Sequence, residues 1–172
     1  LIVGSGERSQ FPNVGPTSRR LERGDIVRLE VFGQLDGYHA GVCRTGVVEK
    51  ATSEVTDIWS RMVECRDLIF GEIRAGASGA EAYRKVRGRF EALGWEPLSF
   101  VGHGIGLFLH EEPYVGRYGD VQLATGMTLG VEPVLLIPGR FGFQVKDSVL
   151  VGESGCEVLS DVTNTDDLIL IE

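Results

Sequence analysis

The chain has 172 residues, of which 42% are hydrophobic and 24% charged, with a formal net charge of -8 and a pI near 4.9. This is the composition of one ordinary globular domain spanning residues 1–172, and it excludes a disordered tail or a small disulfide-dependent module. The acidic balance, without a basic cluster, argues against nucleic acid as a partner. No apolar run reaches the length that a membrane span requires.

The cysteines and the first residues bear on the cellular context. Cys43, Cys65 and Cys156 are an odd number without a C-x-x-C pair, so neither a disulfide framework nor a zinc knuckle is predicted. We therefore expect a reducing, cytoplasmic location. The sequence opens with the strand-like run Leu1-Ile2-Val3-Gly4 and no initiator methionine, and we expect it to be the C-terminal portion of a longer protein.

The first predicted elements are two strands. Apolar and polar residues alternate from Ile26 to Phe32, after Gly24-Asp25, which indicates a strand. Asp36-Gly37 is a hairpin turn signal, and it predicts a second strand from Tyr38 to Val48.

Two helices follow. From Ser53 to Ile73, apolar residues recur at steps of three and four, which predicts an amphipathic helix of about five turns. Ser78 and Glu81 have the spacing of a capping box, and the helix that they begin is stopped by Gly94. Core packing is the simplest interpretation of both apolar stripes.

The rest of the chain is rich in strands and glycine. Strands are predicted over 100–109, 127–137, 141–152 and 156–159. Strands, two helices and then a run of strands indicate an α+β domain, with helices packed on one face of a mainly antiparallel sheet.

Three residues stand out chemically. His103 and His110 lie in the glycine-rich segment from Gly102 to Pro113, and histidine is the side chain most easily adapted to proton transfer near neutral pH. A glycine-flanked histidine is as often structural as functional, so the residues alone leave both roles open. Glu132 lies in an apolar run, where an unpaired carboxylate is costly to bury. It needs either a structural ion pair or a functional partner.

A set of short motifs occurs in the order and spacing of one protein family. They are Gly24-Asp25-Ile26-Val27, Gly37-Tyr38-His39 with Arg44-Thr45, Gly102-His103-Gly104-Ile105-Gly106, His110-Glu111-Glu112-Pro113, Gly126-Met127 and Glu132-Pro133. In these motifs the chain resembles the pita-bread family, which includes methionine aminopeptidase, aminopeptidase P, prolidase and creatinase. The resemblance covers nearly the whole chain. It implies an α+β pita-bread fold, a curved and mainly antiparallel sheet backed by helices, here without the helices that normally precede its first strand.

The resemblance also implies a metal site, which this sequence alters. Peptidases of the family hold two manganese, cobalt, zinc or iron ions with two aspartates, one histidine and two glutamates. The five corresponding places are Glu30, Gly41, His103, Glu132 and Lys146. Glycine offers no ligand and lysine adds a cation, so we expect no metal cofactor. Lys146 can instead neutralise part of the charge of the two glutamates, unless it is turned outward.

Creatinase is the member of the family that works without a metal, by acid/base chemistry on a guanidinium-type C–N bond. Its active-site histidine, in the loop before Gly24-Asp25, corresponds here to Asn13, which cannot serve as a base. Either His103 and His110 carry out the proton transfer, with Glu132 as the orienting group, or the site carries out none.

Two functions of different classes remain open. The first is a hydrolase of the Xaa-Pro peptidase or creatinase type that cleaves a C–N bond of a short peptide or other small molecule without a metal. Its catalytic residues would be His103, His110 and Glu132, and its substrate contacts Asn13, Glu30 and Lys146. The second is a pita-bread module that binds peptides or proteins without turnover. We expect a homodimer in the full-length form, and no nucleic-acid or membrane partner.

Overall fold

The structure is a computed structural model that describes residues 1–118, 121–163 and 165–172. In chain order its elements are β1 (Ile2–Ser5), a 3₁₀ helix (Gly6–Gln10), β2 (Ile26–Leu35), β3 (Tyr38–Val48), α1 (Ser53–Glu72), α2 (Gly79–Ala92), β4 (Phe100–Gly104), β5 (Glu111–Gly116), β6 (Thr128–Val131), β7 (Val134–Ile137), β8 (Phe141–Gln144), β9 (Asp147–Val151), β10 (Cys156–Val158) and β11 (Ile169–Ile171). This is the α+β arrangement expected from the sequence.

The first sheet has four strands in the order β1-β2-β3-β11. Its central hairpin, β2 and β3, is one continuous antiparallel ladder. The turn predicted between them is confirmed, because Asp36 and Gly37 have φ angles of 50° and 89°, and a two-residue type I′ turn requires two positive values. β11 runs parallel to β3, so the sheet is mainly antiparallel.

The second sheet has five antiparallel strands in the order β10-β9-β6-β4-β5, and β7 with β8 forms a separate hairpin. The two larger sheets meet at a bridge between Cys43 and Lys146, whose main-chain N–H and carbonyl groups bond reciprocally at 3.1 and 3.0 Å. The middle of β3 therefore lies beside the start of β9.

The predicted strand over 100–109 is shorter than expected. It ends at Gly104, where the pairing of β4 with β5 shifts register. A Cβ atom at Gly104 would lie 2.5 Å from the carbonyl oxygen of Glu112 on the neighbouring strand β5, so only glycine fits at this position. The chain then turns through a loop in which the Ile105 N–H bonds to the carbonyl of Thr128 at 3.1 Å. This loop carries His110 back towards His103.

Two other predicted strands are each divided between two sheets; they are those over 127–137 and 141–152. The first breaks at Glu132-Pro133, because proline has no N–H to continue a ladder. The second breaks at Val145-Lys146, where Val145 donates to the carbonyl of Pro133 and Lys146 bridges to β3. The prediction of two continuous strands was wrong. The breaks place Glu132 and Lys146 side by side.

The helices begin at polar caps and bury their apolar faces. Thr52 caps α1 by accepting from the Val55 N–H at 3.3 Å. Ser78 caps α2, as predicted, by accepting from the Glu81 N–H at 3.2 Å. The core that joins both helices to both large sheets includes Ile26, Val47, Trp59, Met62, Ile69, Val86, Phe90, Val101, Leu129 and Val149. Within the described ranges, neither helix is long and apolar enough to cross a membrane.

Candidate active site

Lys146 is the buried centre of an ion-pair cluster. Its Nζ lies 3.1 Å from Glu30 Oε1 and 3.1 Å from Glu132 Oε2, and its side chain is 1% exposed. The inward orientation expected for Lys146 is confirmed. Burial by itself lowers the pKa of the ammonium group, but the charges of Glu132 and Glu30 outweigh burial, and the pKa lies above its ordinary value. Lys146 is therefore a cation at neutral pH.

Small residues and the strand ladder hold Lys146 in this position. A Cβ atom at Gly41 would lie 3.7 Å from Lys146 Cε, and one at Gly130 would lie 3.2 Å from the same atom. Cys43 is opposite Glu30 across β2 and β3, and it also bridges to Lys146. The same β3 residue thus fixes both partners of the Lys146–Glu30 ion pair.

His103 is fully buried between a carbonyl group and Glu132. Its Nδ1 lies 2.8 Å from the carbonyl oxygen of Gly104, which can only accept, so Nδ1 carries a proton and Nε2 is the ring nitrogen that faces Glu132. Nε2 lies 3.3 Å from Glu132 Oε1 without the alignment of a hydrogen bond. Burial alone raises the pKa of Glu132, but His103 and Lys146 outweigh it and the pKa lies below its ordinary value. Glu132 is therefore ionised at neutral pH.

His110 stacks on His103, with ring centroids 3.6 Å apart and ring planes at 12°. Phe100 meets both rings edge-on, at centroid distances of 6.3 Å from His103 and 6.1 Å from His110. Partial desolvation, followed by the neighbouring His103, lowers the pKa of His110. His110 is thus neutral at pH 7 and able to accept a proton.

A cleft of about 140 Å³ opens over this cluster. The structure places four of the predicted site residues on its wall: Asn13, Glu30, His110 and Glu132. The other two, His103 and Lys146, lie behind that wall and are almost completely buried. The six residues come from five separate parts of the chain and meet where the two large sheets join.

Two further polar residues of the cleft, Arg28 and Gln144, were not predicted from the sequence. Arg28 donates through Nη1 to Gln144 Oε1, and Gln144 donates through Nε2 to Glu132 Oε2 at 3.2 Å. A signal for Arg28 was present, because residues two apart on a strand share a face and Arg28 precedes Glu30 by two. For Gln144, next to the break between β8 and β9, the sequence contained no comparable signal.

A carboxylate and two imidazoles meet at a small cleft where two sheets join, which makes this cleft the candidate active site. The chain belongs to metallopeptidase family M24, whose sequence profile matches residues 1–153.

Relatives of the chain carry peptidase names. The probable dipeptidase PepE of Mycobacterium tuberculosis is 34% identical over 158 residues, which are 90% of this chain and 42% of that protein. The Xaa-Pro dipeptidase of Pyrococcus furiosus is 29% identical over 161 residues, which are 92% of this chain and 46% of that protein. The crystal structure of the X-Pro aminopeptidase from Thermotoga maritima is similar with a TM-score of 0.92 and 27% identity, over 99% of this chain and 48% of that one. The chain therefore spans less than half the length of these proteins.

The residues of this site do not fit a two-metal centre. The ammonium group of Lys146 lies between Glu30 and Glu132, within 3.1 Å of both, where a cation bound by these carboxylates would have to lie. Gly41 has no side-chain ligand atom. The arrangement places one fixed protein cation between the two carboxylates.

A single ion is a separate possibility, because ligand atoms of His103, His110 and Glu132 lie within 4.8 Å of one another. The lone pair of an imidazole nitrogen lies in the plane of its ring, however, and these two rings are stacked 3.6 Å apart. An ion shared equally between them would lie as much as about 1.8 Å out of each plane, against a metal–nitrogen bond of about 2.0–2.1 Å. The stack therefore fits a pair of proton-transfer groups better than a pair of metal ligands.

Proposed function

We propose that this chain forms the catalytic domain of an enzyme that hydrolyses a C–N bond of a short peptide, amide or amidino compound without a divalent metal. The observation that carries the proposal is the position of Lys146, 3.1 Å from both Glu30 and Glu132, where its charge does part of what a metal would do. Membership in family M24, with relatives named as dipeptidases, supports a peptide-type bond as the target.

The burial of the two histidines supports different roles for them. His110 is partly exposed and lines the cleft, so it is the group able to touch a substrate. His103 is fully buried beneath it and lies between Glu132 and the carbonyl of Gly104. We assign His110 as the acid/base residue, His103 as the ring that positions it by stacking, and Glu132 as the negative charge that favours its protonated form.

The proposed reaction begins with a water molecule in the cleft. His110 removes a proton from the water as the water oxygen forms a bond with the carbonyl or amidino carbon. The C–N bond then breaks, and His110 returns the proton to the leaving nitrogen, so that the imidazole ends neutral. Asn13 and Glu30 line the cleft and are assigned to substrate contact. Lys146 lies behind the wall and acts through the two glutamates, whose charge it neutralises in part.

The test is an assay of the purified protein with Xaa-Pro dipeptides, creatine and small amides, with and without EDTA. We expect a rate that EDTA does not change. His110→Ala should lower it by about 10²–10⁴-fold, the usual contribution of a positioned acid or base. His39→Ala is the matched control, because His39 lines a different pocket and its loss should leave the rate unchanged.

Two outcomes would contradict the proposal. Activity that appears only after manganese or cobalt is added would mean that metal chemistry survives the altered ligand set. Ligand binding without turnover of any substrate class would favour the second candidate, a pita-bread module that binds peptides or proteins. The full pairing of both carboxylates with Lys146 is the observation that favours this candidate, because it leaves neither glutamate free to act as a base.

A further inference from the structure

Arg28 is a buried cation that has no carboxylate partner within ion-pair distance in the described part of the chain. It is 1% exposed. Its hydrogen bonds go to neutral acceptors, namely Gln144 Oε1 and the carbonyl oxygens of Phe11 and Pro12. The Nε–H group is buried and has no hydrogen-bond acceptor.

The two glutamates of the cleft do not form an ion pair with Arg28. Glu30 and Glu132 are both held at 3.1 Å by Lys146. Burial lowers the pKa of Arg28, although the charges of Glu30 and Glu132 act in the opposite direction. Arginine nevertheless stays protonated in proteins, so Arg28 keeps its positive charge, and both nearby glutamates make their direct ion pairs with Lys146 and not with Arg28.

Arg28 also lies where a ligand would be. It lines the cleft together with Asn13 and His110, and its bonds to the carbonyls of Phe11 and Pro12 hold the loop that carries Asn13. The guanidinium group is thus held in place in the wall of the same cleft that the proposed acid/base residue lines.

We propose that Arg28 determines the specificity of this cleft by binding a carboxylate group of a small ligand. As a statement about substrates, this rests on the proposed function. As a statement about binding, it rests on the cleft alone. The guanidinium–carboxylate pair is the strong, directional pairing that proteins use for this group. A monoanion fits better than a dianion such as phosphate, because Glu30 and Glu132 line the same cleft, and a volume of about 140 Å³ limits the ligand to a small molecule.

The test compares two probes of nearly equal size by calorimetry, N-acetylglycine and its uncharged amide, N-acetylglycinamide. The wild-type protein should bind the carboxylate at least about tenfold more tightly than the amide, which is the scale of one charged hydrogen bond. Arg28→Gln should abolish this preference. Arg28→Lys should weaken it, because lysine keeps the charge without the planar set of donors. Arg66→Gln is the matched control, since Arg66 is also a buried arginine but lies outside the cleft.

Circular dichroism of each variant shows whether it is folded. If Arg28→Gln does not fold, the inference is tested by the Arg28→Lys variant and by the affinities of the wild-type protein for the two probes. Equal affinity of the wild type for the two probes, no binding of either, or an unchanged preference in a folded Arg28 variant overturns the inference. Because the readout is binding, the two proposals fail separately. A carboxylate preference without turnover refutes only the hydrolase, and turnover without the preference refutes only the role of Arg28.

Discussion

At the scale of single residues, the ammonium group of Lys146 is the counterion of two buried carboxylates. Lys146→Met keeps the aliphatic stem and removes the charge, which leaves Glu30 and Glu132 without the ammonium group that pairs with both. We expect the free energy of unfolding to fall by about 3–5 kcal/mol, the usual cost of removing one partner of a buried ion pair. Urea denaturation at pH 7 measures it.

The matched control is Lys85→Met. Lys85 lies 2.7 Å from Glu72, but its side chain is 60% exposed, so its loss should cost no more than about 1 kcal/mol. Equal effects of the two substitutions would show that Lys146 does not stabilise the cluster in solution.

We expect Gly41 and Lys146 to oppose the binding of a divalent metal at this site, because glycine offers no ligand atom and the ammonium group occupies the space between the two carboxylates. The double variant Gly41→Asp with Lys146→Glu restores two carboxylates, and there is room for the first, because a Cβ at Gly41 makes only ordinary contacts of 3.5 Å or more. We expect it to bind Mn²⁺ at least about tenfold more tightly than the wild type, since hard divalent ions prefer carboxylate oxygen. Calorimetry measures the affinity.

Each single variant serves as a control for the double one. Lys146→Glu alone supplies one ligand and should gain less affinity, and Gly41→Ala tests the added bulk without a carboxylate. Tight Mn²⁺ binding by the wild-type protein would refute the view that Lys146 substitutes for a metal.

At the scale of elements, β2 is anchored at its entry by Asp25. The Asp25 carboxylate accepts two hydrogen bonds from Arg19, at 2.5 and 2.9 Å, and one from the Glu22 N–H at 2.8 Å. Burial alone raises the pKa of Asp25, but the Arg19 hydrogen bond and the Glu22 N–H outweigh it, so the pKa lies below its ordinary value. The preceding loop is thereby tied to the strand that carries Arg28 and Glu30.

This lowered pKa gives a pH dependence of known sign. Asp25→Asn should destabilise the protein by about 1 kcal/mol at pH 7, a modest value because Arg19 is partly exposed. A carboxyl group whose pKa is lower in the folded protein stabilises the fold at pH values above its unfolded pKa of about 3.9. This stability is lost as the pH falls through the pKa of the folded state. The difference between wild type and variant should therefore shrink below about pH 4, as measured by urea denaturation over a pH series.

Asp57→Asn is the comparison for Asp25→Asn. Asp57 also accepts from an arginine, Arg61, but on the exposed face of α1, and we expect no measurable change. A difference between wild type and Asp25→Asn that stayed constant down to acid pH would rule out the ionised carboxylate as its cause.

At the scale of the whole molecule, one core joins the helices to both large sheets. Trp59 lies in that core, and Trp95 packs at its edge against Phe90, with ring centroids 5.4 Å apart. We therefore expect residues 1–172 to unfold as one domain, with coincident urea transitions by tryptophan fluorescence and by far-UV circular dichroism. Two separated transitions would contradict the single domain predicted from the sequence.

The sequence by itself determined the features that depend on neighbours along the chain. The β2–β3 turn follows from Asp36-Gly37, whose backbone preferences match a type I′ turn, and the start of α2 follows from the side chain of Ser78. The family was equally readable, because its motifs are short and contiguous. Of the candidate site, the sequence supplied the two histidines, the glutamates and the lysine as residues, without their distances.

Only the tertiary structure decided how those residues meet. Lys146 and Glu30 are 116 positions apart, and their contact depends on strand breaks that redirect the chain at Pro133 and Lys146 itself. The stacking of His103 and His110 depends on a loop that returns to β4. The unpaired charge of Arg28 is visible only once every neighbouring carboxylate has been located. In each case the physical reason is the same: the register between remote strands is set by packing of the whole domain, which no local stretch of sequence specifies.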